Sequence, residues 1–216
     1  MDIVAEIRRI ARLDGRTHPL GLDEFGNLTT SKGLPDLARL SAAGKLFQID
    51  MSAGTAKAPV VAPPVASPEW GLYNFSQNET MVVLSAACGL KSGTQGLGLA
   101  MMMASAIGPQ TAVTADYSGT IKNSLDGSKD EPQVYLANNP TLIGGTPAWH
   151  IVANDQGNTI AQVNIGSGLV ADNLQGRYTA KPNGGMVCLE VVGPTGTTAL
   201  FWVSFLVAML DLRRKA

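Results

Sequence analysis

The sequence predicts a mainly β protein, a jelly-roll or β-sandwich body behind a short helical N-terminal arm. Three observations lead there. The chain changes character near residue 50, from a charge-dense segment to a charge-poor one rich in Gly, Thr, Asn and Val. Beyond that break, short apolar runs are separated by turn signals such as Ser92-Gly93, Asp126-Gly127, Asn138-Asn139-Pro140, Gln156-Gly157-Asn158 and Asn183-Gly184-Gly185. This spacing suits many short antiparallel strands rather than βαβ units. Between the two parts runs a join with Pro59, Pro63, Pro64 and Pro68. Proline fixes φ and lacks the amide donor, so the join favours an extended, semi-rigid path.

The elements follow in order. Ile3, Ile7, Ile10 and Leu13 recur at helical spacing, with Arg8, Arg9 and Arg12 off that stripe and Gly15 at the end. They predict an amphipathic helix too short to be stable without a packing partner. Residues 15–33 read as loop, with a small turn at Glu24-Phe25-Gly26-Asn27. Leu34 to Ala43 reads as a second helix, Pro35 suiting its first turn and Gly44 its C-terminus. Lys45 to Met51 alternates and reads as a strand. Strand-like runs then recur from Trp70 to Leu212, the last of them an apolar stretch, Ala199–Leu210, read as a terminal strand buried on both faces. The expected organisation is an anchoring arm over 1–50, a Pro-rich join over 51–69 and a β body over 70–216.

Composition narrows the function classes. The 216 residues carry a net charge of −1, and only 15% are charged, against the usual quarter. No global basic field draws the chain to nucleic acid or anionic lipid. Such a charge-poor surface suits burial against a partner. The apolar run at 199–210 has a basic flank, but a dozen residues fall short of the roughly 20 a membrane helix needs. The start, Met1-Asp2-Ile3-Val4-Ala5-Glu6, is amphipathic and lacks the apolar core of a signal peptide. No nucleic-acid or membrane partner is expected, and the cytoplasm is the expected site of assembly. Cys88 and Cys188 each sit in apolar runs and read as two small buried hydrophobes, with a single disulfide between distant strands as the alternative.

Candidate chemistry is thin. Gly93-Thr94-Gln95-Gly96-Leu97-Gly98 imitates a dinucleotide loop, but its glycines are wrongly spaced and its surroundings read all-β. It predicts a turn into a buried strand or short helix. The two histidines, His18 and His150, lack the neighbours of a Ser-His-acid relay or a metal site. Asp126, Asp130 and Glu131 do not fit a calcium loop. No catalytic residue, cofactor or metal is expected, and the chain reads as a non-enzyme. Two interaction sites remain. One is the arm, where Ile3 and Ile7 with Arg8, Arg9, Arg12 and Arg16 could dock on an acidic protein surface. The other is the loop Pro147-Ala148-Trp149-His150, where Trp149 and His150 would contact a glycan or receptor.

The layout also resembles a known group. The helical arm leads into Gly44-Lys45-Leu46-Phe47, then a Pro/Ala/Val stretch, then Trp70-Gly71-Leu72-Tyr73-Asn74, and the chain closes on Leu200-Phe201-Trp202-Val203-Ser204-Phe205. This resembles the capsid decoration, cement and head-fibre proteins of tailed bacteriophages. The resemblance implies a homotrimeric virion protein on the capsid surface, bound through its arm to the major capsid protein or another virion protein. The alternative it leaves open is a glycan- or receptor-binding β-sandwich of a head fibre, tail or baseplate.

Overall fold

The structure, a computed structural model, describes residues 20–22, 28–30, 36–51, 56–94, 98–108, 119–123, 134–138, 140–143, 146–154, 168–172, 174, 176–194 and 198–211. The chain divides into two units, Met1–Arg39 and Leu40–Ala216. The first contains an antiparallel hairpin of β1 (Leu20–Leu22) and β2 (Leu28–Thr30), Leu20 opposite Thr30. The sequence reading took this stretch as loop. Its two strands have three residues each, too short to show alternation; the expected turn at Glu24–Asn27 lies outside the described residues. The helix expected over 3–13 lies outside the described residues.

Helix α1 (Asp36–Ala42) ends where glycine permits it. Gly44 adopts φ 64°, and its N–H donates to Ser41 O while Lys45 N–H donates to Leu40 O, each at 2.8 Å. That pair of bonds satisfies the last carbonyls of the helix in a Schellman motif. The chain then enters β3 (Leu46–Met51) at once.

The remaining strands are β4 (Trp70–Asn74), β5 (Thr80–Ser92), β6 (Ala100–Ile107), β7 (Gly119–Asn123), β8 (Val134–Asn138) and β9 (His150–Asn154). They are followed by β10 (Gly168–Ala171), β11 (Tyr178–Ala180), β12 (Gly185–Val192) and β13 (Leu200–Leu210). Two antiparallel sheets result. The larger has the order β10-β5-β13-β3-β7, with β11 also on β5; the smaller runs β8-β4-β12-β6-β9.

The pairings nest first with last: β3 with β13, β4 with β12, β5 with β10 and β11, β6 with β9. Rolling that ribbon over brings β13 beside β5 and β12 beside β6. This is jelly-roll winding. The two strands between β6 and β9 extend it at the edges, β7 on β3 and β8 on β4. β3, assigned by the sequence reading to the arm, is therefore a strand of the larger sheet, held on both edges.

Period-2 alternation explains the packing. Phe47 and Ile49 of β3, Trp70 and Leu72 of β4, Met101 and Met103 of β6, Val187 and Leu189 of β12 and Phe201 and Phe205 of β13 share one buried cluster. Each large side chain removed from water there contributes about 1.5–3 kcal/mol. β13 is buried on both faces, as expected, only over Val207, Ala208 and Met209. Upstream, Phe201, Val203 and Phe205 are buried, but the alternate positions Leu200, Trp202, Ser204 and Leu206 are only half-buried. Cys88 lies in the interior cluster and Cys188 in a second cluster with Tyr73 and Met186, and both thiols are free. They occupy different clusters, so no disulfide links them.

The turn from β11 into β12 places Asn183 at φ 55° and Gly184 at φ 108°, the left-handed conformations that Asn-Gly tolerates best. Buried Asn74 ties this turn to the one after β4. Its Nδ2 donates to Glu79 O and Ala180 O, and its Oδ1 accepts from Ser76 N.

Because the sandwich lies within Leu40–Ala216, a chain lacking residues 1–35 should give a cooperative thermal melt by circular dichroism, as the full chain does. Extending the deletion through Met51 removes β3, and the cooperative melt should be lost.

Candidate functional site

The Pro-rich join is built into the sandwich. Lys57 exchanges two 2.8 Å backbone hydrogen bonds with Phe201, beyond the point where β3 leaves β13. Val60 N–H then donates to Val191 O at 2.9 Å, and Gly193 N–H donates to Val60 O at 2.8 Å. Past the start of β4, the edge of β12 would otherwise lack a partner, and Val60 occupies it. The join thus bridges the two sheets. Proline suits this position because only occasional amides, such as those of Lys57 and Val60, are required.

Beneath the join lies a buried ionic cluster. Glu190 on β12 is fully buried. Its Oε2 accepts from Glu69 N–H at 2.8 Å and its Oε1 from Val191 N–H at 3.2 Å. Lys57 Nζ lies 3.4 Å from Glu69 Oε2, a buried oxygen that has no hydrogen bond among the described residues. Lys57 pairs with Glu69, while Glu190 is held by two backbone amides. Burial pushes the Glu190 carboxyl up to about 7, opposed by the Glu69 amide, reinforced by the Glu69 charge and opposed again by the Val191 amide and Lys57. Burial chiefly, with the Glu190 charge adding to it, also raises both thiols, Cys188 to about 12. Neither thiol is poised as a nucleophile.

The smaller sheet's outer face is covered in part. Tyr73, Met186 and Cys188 form a small cluster packed by Phe75, Ala106, Leu142 and Trp149. Trp149 Nε1–H donates to Pro64 O at 3.0 Å and Leu142 N–H donates to Ala66 O at 2.8 Å, so the join is braced against Leu142 and Trp149. Trp149, one of the two loop candidates, is thus half-buried with its polar edge engaged. His150 is exposed and opens β9, opposite Met103. Around this brace Val65, Ile107 and Ile143 are 45–65% exposed. Val65 and Ile143 flank the Leu142–Ala66 hydrogen bond, and Ile143 bridges to Ile107.

The arm candidates Ile3, Ile7, Arg8, Arg9, Arg12 and Arg16 lie outside the described residues, as do Asp126, Asp130 and Glu131. Gly93 and Gly98 have φ 84° and 77° and lie between β5 and β6, with residues 95–97 of the expected turn outside the described residues. Among the described residues, no group of three or more His, Cys, Asp or Glu side chains is placed to hold a metal ion. No helix among them is long and apolar enough to cross a membrane. Glu190 escaped the sequence reading. Its signal was a single acid inside the apolar run Met186–Val192.

Fold and surfaces together define a jelly-roll protein with a separate N-terminal unit. No protein-family model, curated protein or solved structure matches the chain.

The corner cluster makes stability depend on pH in a definite direction. The folded carboxyl of Glu190 sits above its ordinary 4.5, so the native state binds the extra proton between about 4.5 and 7. Its contribution is full below 4.5 and is lost as pH rises through about 7. Glu190→Gln, a neutral mimic of the protonated acid, should melt higher than wild type at pH 8. The advantage should vanish toward pH 4.5, a relative change on the order of 3 kcal/mol. Paired thermal melts across that range measure it.

Proposed function

We propose that the protein is a virion structural component of a tailed bacteriophage, a capsid decoration or cement protein acting without catalysis. Its N-terminal residues bind the outer shell, through the major capsid protein or another virion protein, and its jelly-roll body associates as a trimer. The observation that carries this reading is the apolar patch of Val65, Ile107 and Ile143, held together by the Leu142–Ala66 hydrogen bond and the Ile143–Ile107 bridge. A contiguous patch of aliphatic side chains marks an association surface. Burying it against copies of the same chain contributes about 25 cal/mol per Å² of apolar area, and closed symmetry repeats that gain at every interface. The division of the chain at Arg39 further supports a docking unit distinct from the associating body. Stabilisation of the shell is then mechanical, each trimer tying neighbouring subunits together.

Two measurements test the reading. Mass spectrometry of purified particles should find the chain in many copies per particle; absence, or a few copies only, would remove the decoration role. In solution the full chain should sediment at three times its monomer mass. The Val65→Asp, Ile143→Asp double variant should sediment as a monomer with an unchanged circular dichroism spectrum.

A further inference from the structure

The larger sheet turns a second, different surface outward. The register ranks Val170, Ala87, Ser204 and Asp50 side by side across β10, β5, β13 and β3. The next rank is Gly168, Gly89 and Trp202. A groove of about 290 Å³ opens here, lined by Asp50, Ala87, Gly89, Trp202, Val203 and Ser204. Its floor is low because two of the outward positions on β5 are Ala and Gly. A Cβ at Gly89 would fall 2.3 Å from Trp202 Nε1 and 2.8 Å from its Cδ1. The missing side chain is what lets the indole lie against the strand backbone. Asp50 Oδ1 accepts from Gln48 Nε2 at 3.3 Å, and its carboxylate is the one ionisable side chain lining the groove.

We propose that this groove binds a neutral saccharide of one or two pyranose rings, stacked on Trp202 and hydrogen-bonded by Asp50 and Ser204. The lining selects that chemistry. A broad aromatic surface in contact with the groove matches the apolar C–H face of a sugar ring, and a carboxylate and a hydroxyl beside it accept from sugar hydroxyls. A lone negative charge with no lining cation repels phosphate, sulfate and acidic sugars. The volume lies at the lower limit of small-molecule sites, which suits a mono- or disaccharide. The groove lies on the larger sheet and the aliphatic patch borders the smaller one, so sugar binding does not depend on the virion assignment.

The purified full chain tests this directly. Neutral mono- and disaccharides of glucose, galactose, mannose and N-acetylglucosamine are titrated with tryptophan fluorescence and calorimetry as readouts, beside sialic acid and choline as charged probes. At least one neutral sugar should bind saturably. Trp202→Ala and Asp50→Asn should each weaken it at least tenfold, and Trp149→Ala should leave it unchanged. Ser204→Ala and Gly89→Ser give a second pair: the first removes a hydroxyl from the surface and the second displaces the indole. Melting curves of each variant confirm folding. The proposal is overturned if the folded chain binds none of the neutral sugars, or prefers sialic acid or choline. Binding that survives in folded Asp50→Asn and Gly89→Ser variants would overturn it equally.

Discussion

The pairing of β13 with both β3 and β5 is the constraint on which the rest of the molecule depends. The last strand lies inside the larger sheet, so the sheet is not complete until the C-terminal residues are in place. Its inner face carries Phe201, Val203 and Phe205 into the shared core, and its outer face carries Trp202 and Ser204 into the groove. One strand thus joins stability and surface chemistry through simple alternation. The register shifts at Leu200/Phe201 and Leu206/Val207 bound the stretch over which that alternation stays regular. Such long-range closure implies slow folding, because loop entropy is spent before the distant contacts form.

The corner between β3 and β4 is the second organising feature, and it depends on the first. Phe201 at the start of β13 provides the backbone groups that dock Lys57. With Lys57 in place, its ammonium faces Glu69, and the Glu69 amide in turn reaches Glu190. A buried acid is costly to ionise, and here it is held by two backbone amides. The arrangement stabilises a particular path for the join more than it stabilises the fold as a whole. It also explains why the Pro-rich segment is a strut and not a tether.

Much of the fold was legible because its strands alternate or carry strong turn signals. Asn183-Gly184-Gly185 marked the turn into β12, and the runs around Trp70, Thr80 and Met186 appeared as strands. Other parts were hidden for identifiable reasons. The break near residue 50 tracked charge density, but the folded unit begins at Leu40, because only Ala43, Gly44 and Lys45 separate α1 from β3. The β1–β2 hairpin has strands too short for periodicity to register. Trp202 was concealed because the outward positions Leu200, Trp202 and Leu206 are apolar, so the run showed no polar alternation except at Ser204. The corner cluster depends on Lys57, Glu69 and Glu190 meeting across 133 residues of chain, which no local pattern can announce.

The placement of β3 also determines how the body would respond to pulling. A pull applied along the axis of β3 would be taken up by its two ladders. That strand is bonded to β13 on one edge and to β7 on the other, with its ladder bonds lying across the line of force. Those bonds must fail together in shear, whereas a hairpin pulled open at its end loses them one by one. Behind β3, the Lys57–Phe201 bonds and the proline strut oppose any sliding that follows. Against such a pull the first strand of the jelly roll is a clamp held on both edges.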